Sequence, residues 1–120
     1  MGFLWEKITI TGTRKTSPNL MALLDSGASG NYIRKTLKCN QKVDDLGYRA
    51  YLGKKHVQLP DERKISALRV QFDCVNLRGN TFWNTEFFVM DKLIHDVILG
   101  SKFLQELGAI LNLKEDKMEI

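Results

Sequence analysis

Apolar residues recur at every second position over much of this chain, and a single stretch departs from that rhythm towards a helix. Lys7-Ile8-Thr9-Ile10-Thr11 alternates and stops at Gly12, which predicts a strand. After a loop containing Pro18, Leu20-Met21-Ala22-Leu23-Leu24 is apolar throughout, the pattern of a central strand covered on both faces. Residues 31–37 are expected to form a short helical turn, and 48–52 a strand. His56-Val57-Gln58-Leu59 reads as one arm of a hairpin, with Pro60-Asp61-Glu62-Arg63 as its turn. The return arm places Leu68, Val70, Phe72 and Cys74 on one face. Arg78-Gly79-Asn80 turns the chain again, residues 82–90 form a further strand, and Val97-Ile98-Leu99-Gly100 is a short buried one.

Residues 101–107 carry the helical spacing. Ser101 is a suitable N-cap, Phe103, Leu104 and Leu107 share a face, and Gly108 suits the position after the last turn. Residues 109–113 and 118–120, joined by Lys114-Glu115-Asp116-Lys117, are expected to close the chain as a hairpin. The pattern is that of an all-β protein with one short C-terminal helix, and 120 residues favour one domain spanning 1–120.

Composition removes several functions. The net charge of +4 comes from scattered lysines and arginines, so a basic surface is expected and nucleic acid is not expected as a partner. A nucleic-acid-binding β-barrel would need aromatics interleaved with basic residues, which Tyr48-Arg49-Ala50-Tyr51 alone offers. Two histidines, His56 and His95, and no CxxC or HExxH give no support to a metal site or cofactor. The spacing Gly27-Ala28-Ser29-Gly30 is wrong for a serine-hydrolase elbow. Cys39 and Cys74 are expected as free thiols, and Met1-Gly2-Phe3-Leu4-Trp5-Glu6 resembles no secretory signal, so a cytoplasmic location is expected. No apolar run approaches the length of a membrane span.

What remains is Asp25. A carboxylate at the end of an apolar strand is costly unless hydrogen bonds or function compensate, and Ser26, Gly27, Ala28, Ser29 and Gly30 follow it. Asp25-Ser26-Gly27-Ala28 after a buried strand, with Val97-Ile98-Leu99-Gly100 before a helix some seventy residues later, resembles the retroviral-type aspartic proteases, or retropepsins. The Leu99-Gly100-Ser101-Lys102-Phe103-Leu104 join and Ala109-Ile110-Leu111-Asn112 are most similar to proteases of gypsy-type LTR retrotransposons. The resemblance covers residues 6–120.

This resemblance implies a retropepsin-like closed β-barrel or sandwich that works as a C2 homodimer. It implies a polypeptide substrate, the element's own Gag-Pol polyprotein, inside or outside retroelement particles. Asp25 would be the catalytic residue, with Ser26, Gly27, Ala28 and Ser29 forming its loop. Val57, Leu59, Pro60 and Asp61 would lie on a flap, and Ile98 in a pocket wall. The chemistry agrees, since two close carboxylates sharing one proton act as base and acid. The chain holds a single D-[ST]-G, so the second carboxylate would come from a second copy. Where retroviral proteases place an Asp and an Arg that support the dimer, this chain has Ser29 and Ser101. The alternative is a retropepsin-fold dimerisation or binding module without catalysis.

Overall fold

The computed structural model describes residues 4–58 and 64–119. Among the described residues, nine strands follow in chain order: β1 (Leu4–Thr11), β2 (Leu20–Leu24), β3 (Tyr32–Arg34), β4 (Ala50–Gln58), β5 (Lys64–Gln71), β6 (Cys74–Leu77), β7 (Asn80–Trp83), β8 (Glu86–Met90) and β9 (Val97–Leu99). One α-helix, α1 (Ser101–Glu119), ends the chain. The strands make one mixed sheet in the order β4-β5-β8-β3-β9-β2-β1-β6-β7. Its outer strands, β4 and β7, do not pair, so the sheet is open and the expected closed barrel is not formed.

Register divides the central strands into two faces, because residues opposite each other on paired strands project to the same side. Ile8 lies opposite Leu20, Ala22 beside Val97, Val97 opposite Ile33, and Ile33 beside Val89. These five aliphatics and the alanine are buried and form the core, with Val75, Leu77, Phe82, Phe103 and Leu107. The helix enters this core through Phe103, whose ring packs 4.4 Å from that of Phe82.

Four local expectations change. Residues 31–37 contain strand β3 instead of a helical turn, because Ile33 is sealed between Val97 and Val89 and sheet pairing decides the backbone. The arm after the hairpin breaks at Phe72-Asp73, where the chain leaves β5 for β6 on the far side of the sheet. Residues 82–90 form two strands: Asn84 has φ of 55°, and the Thr85 hydroxyl donates to the Phe82 carbonyl at 2.9 Å, which turns the chain. Finally, α1 runs through Gly108 to Glu119 where a hairpin was expected. Ile110 continues the apolar spacing of Phe103 and Leu107 and packs on the core, so the burial of one stripe outweighs a single glycine.

Other segments fall where the pattern puts them. Strand β2 matches the expected residues and β9 stops one short, at Leu99; β4 joins the strand expected at 48–52 to the hairpin arm expected from His56, and pairs with β5 with Gln58 opposite Lys64. Cys39 is exposed and Cys74 buried, both as free thiols. Tyr48 packs against Phe72 at 5.5 Å and Arg49 approaches Asp73 at 3.7 Å. Of the aromatic–basic cluster, Tyr48 is thus packed on the core, while Tyr51 stays 69% exposed. Trp83 is 72% exposed.

Candidate active site

Strand β2 delivers Asp25 to a loop that is tied to β9 and to the start of α1. The Asp25 N–H donates to the Leu99 carbonyl at 3.0 Å, continuing the parallel pairing of β2 with β9. The Gly27 N–H donates to Asp25 Oδ1 at 2.9 Å and the Ala28 N–H to the Asp25 carbonyl at 3.1 Å, which folds the loop into a tight turn. One carboxylate oxygen is thus engaged, while the side chain stays half-exposed rather than buried as its apolar approach suggests. Ser26, Gly27 and Ser29 are exposed in the single chain.

The far side of the loop meets Gly100. A methyl group there would lie 2.3 Å from the Gly30 carbonyl oxygen and 2.7 Å from that of Ala28, so a residue without a side chain is required. The Ser101 N–H donates to the Ala28 carbonyl at 2.9 Å, and the Gly100 N–H donates to Asn31 Oδ1 at 2.9 Å. Neutral hydrogen bonds therefore join the loop to the helix at the place where Ser29 and Ser101 offer no ion pair.

On the face away from the core, register aligns a second row. Trp5 lies opposite Leu23, Leu23 beside Ile98, Ile98 opposite Tyr32, and Tyr32 beside Phe88. Leu23 also shares its face with Asp25 by the two-residue period of the strand. Tyr32 stacks on Phe88 at 5.5 Å, and Trp5, 44% exposed, meets the His95 ring edge-on at 4.8 Å. Of this row the sequence singles out only Ile98, as a pocket candidate. The others become visible once strand pairing places them beside Leu23.

Val57 sits near the end of β4 opposite Ile65, half-exposed, in the hairpin expected to be the flap. Leu59, Pro60 and Asp61 lie outside the described residues. A cleft of about 390 Å³ opens beside the loop, lined by Ser29, Gly30, Asn31, Arg69, Trp83 and Lys102 among others, but Asp25 does not line it. No group of three or more acidic, histidine or cysteine side chains suited to a metal ion occurs among the described residues. Nor is any helix among them long and apolar enough to cross a membrane.

Comparison with known families agrees with this geometry. A family model described as aspartyl protease matches residues 7–103, which include Asp25, its loop, β9 and the start of α1. The chain belongs to the aspartyl protease family. Among solved structures, this aspartyl protease is similar to the retroviral protease-like domain of Ddi1 from Leishmania major, with 18% identity, 88% of this chain and 76% of that chain covered, and a TM-score of 0.49. It is also similar to a retropepsin-like aspartic protease from Rickettsia conorii, with 18% identity, coverage of 88% and 84%, and a TM-score of 0.48. No curated protein matches the chain.

Proposed function

We propose that this aspartyl protease is an endopeptidase of the retropepsin type, active as a homodimer with one Asp25 from each copy. The observation that carries this reading is the state of Asp25 in the single chain. It sits on an open, half-exposed loop, held by backbone hydrogen bonds, as the sole acidic residue between Glu6 and Asp44. One carboxylate cannot serve as base towards water and as acid towards the leaving nitrogen. Two that share a proton can, because like charges held close resist joint ionisation. A second copy related by a two-fold axis supplies the partner from the same surface.

In this reading the ionised carboxylate draws a proton from water as the oxygen attacks the scissile carbonyl. The protonated carboxylate then passes its proton to the departing amine, and the two products leave the dyad with one shared proton again. Gly27 holds Asp25 Oδ1 in place, and exposed Ser26 lies free to contact the second copy. The row Leu23, Ile98, Tyr32 and Phe88 receives apolar side chains of an extended substrate, and the β4–β5 hairpin with Val57 covers it. The pattern shared with gypsy-type proteases supports the chain's own polyprotein as substrate.

The test is a peptidase assay on purified protein with a statine-type transition-state mimic. Cleavage that this mimic blocks, and that Asp25→Asn abolishes, is expected. Cleavage that survives Asp25→Asn would contradict the proposal, and a folded dimer without cleavage would favour the inactive binding module.

A further inference from the structure

Asn31 is the residue through which two separate segments, β8 and the β9–α1 join, meet the Asp25 loop. Its Oδ1 accepts from the Gly100 N–H at 2.9 Å, its Nδ2 donates to the Glu86 carbonyl at 3.0 Å, and its own carbonyl accepts from the Phe88 N–H at 2.8 Å. A carboxamide is required for this, since one end must accept and the other donate at the same time. Serine offers one oxygen for both tasks, and alanine leaves the Gly100 N–H and the Glu86 carbonyl without their partners.

We infer that Asn31 is a positioning residue for the reaction, holding the Asp25 loop in register with β9 and with the strand that carries Phe88. The inference rests on the reading of Asp25 as the catalytic residue. The route is short: Asn31 fixes Gly100, the adjoining Leu99 carbonyl fixes the Asp25 N–H, and Gly27 fixes the carboxylate. Gly100 has no side chain of its own to resist sliding, and a methyl group there would strike Gly30 and Ala28. The carboxamide is the side chain that sets the spacing of loop and join. A loop displaced by about 1 Å would still bind peptide along the Leu23–Phe88 row but would misplace the carboxylate, which costs on the order of 100-fold in rate.

Asn31→Asp gives the most telling variant. When protonated, an aspartate at 31 keeps one acceptor for Gly100 and one donor for the Glu86 carbonyl. When ionised, it loses the donor and sets a negative oxygen against that carbonyl. The experiment measures kcat and KM for wild type, Asn31→Ala and Asn31→Asp across pH, on folded protein at saturating dimer concentration. For Asn31→Ala, kcat is expected to fall by about 10- to 100-fold at every pH, with KM within about threefold of wild type. For Asn31→Asp, kcat is expected near wild type at acid pH and to fall relative to wild type as pH rises through the carboxylate range.

Wild-type kcat in Asn31→Ala, or an Asn31→Asp ratio to wild type that is flat with pH, overturns the inference. If Asn31→Ala does not fold, the pH dependence of Asn31→Asp decides alone. A wild-type protein with no peptidase activity would instead refute the reading of Asp25, so the two failures are distinct.

Discussion

Replacing Gly100 with alanine pushes a methyl group into the backbone of the Asp25 loop, and the structure sets the size of the effect. The new carbon would lie 2.3 Å from the Gly30 oxygen, about 0.7 Å inside the 3.0 Å limit that real contacts respect. The neighbours are backbone atoms, so no side chain can rotate away. Moving the join outward by that amount stretches the 2.9 Å bonds from the Gly100 N–H to Asn31 and from the Ser101 N–H to Ala28 beyond hydrogen-bonding range. Overpacking of about 1–3 kcal/mol and about 1 kcal/mol for each of the two bonds give a loss of about 3–5 kcal/mol. That is a large share of the roughly 5–15 kcal/mol that holds a domain of this size together.

Urea unfolding followed by fluorescence is the assay, and the midpoint is expected to fall by about 2 M or more. Gly108→Ala serves as the opposite control, because nothing lies within 4 Å of a methyl group at Gly108, in the interior of α1. That substitution is expected to stabilise by about 0.5–1 kcal/mol through helix propensity. A Gly100→Ala protein that unfolds at the wild-type midpoint would refute the argument from close approach.

Asp25→Asn is expected to abolish peptidolysis while leaving the unfolding free energy within about 1 kcal/mol of wild type, since the asparagine oxygen can still accept from the Gly27 N–H; urea unfolding followed by circular dichroism and a peptide assay check both parts. Tyr48 is held protonated far above the usual phenol range, by burial first and then by its hydrogen bond to Asp44. Its proton is lost more readily in the unfolded chain, so stability should fall as pH rises above about 10, and Tyr48→Phe should lose less stability across that interval. Ultraviolet titration should accordingly show the Tyr48 phenol ionising only on unfolding.

How far the sequence could be read depended on whether a local pattern had a competing tertiary demand. Alternation at residues 7–11 and the apolar run at 20–24 name their strands because core burial rewards the same backbone that the pattern favours. Tyr32, Ile33 and Leu37 have a spacing that suits a helix, yet Ile33 is placed by pairing with β9 and β8, a contact more than fifty residues away. At Gly108 a valid stop signal is overridden by the apolar stripe that continues to Ile110. The strand expected over 82–90 is broken at Asn84-Thr85 by a turn that uses the Phe82 carbonyl as its partner, which no alternation along the chain reveals.

The site divides in the same way. Asp25 and its loop can be named as candidates because the motif is contiguous, and Ile98 because it lies in the apolar segment that ends at Gly100. Asn31, Leu23, Tyr32 and Phe88 are not, since their relation to Asp25 exists only through strand register and the loop's contact with the helix. The open position of Asp25 was also hidden, because an apolar approach to an acid looks the same whether the covering surface belongs to this chain or to a second copy.

The central claim is that two chains build one site, and subunit mixing tests it most directly. Wild-type and Asp25→Asn chains are combined in equal amounts, allowed to exchange, and assayed at constant total chain concentration. Random pairing leaves about one quarter of the dimers with two aspartates, so activity should fall to about one quarter of an all-wild-type sample. Activity of about one half, unchanged on dilution, would mean that each chain acts alone and would contradict the account.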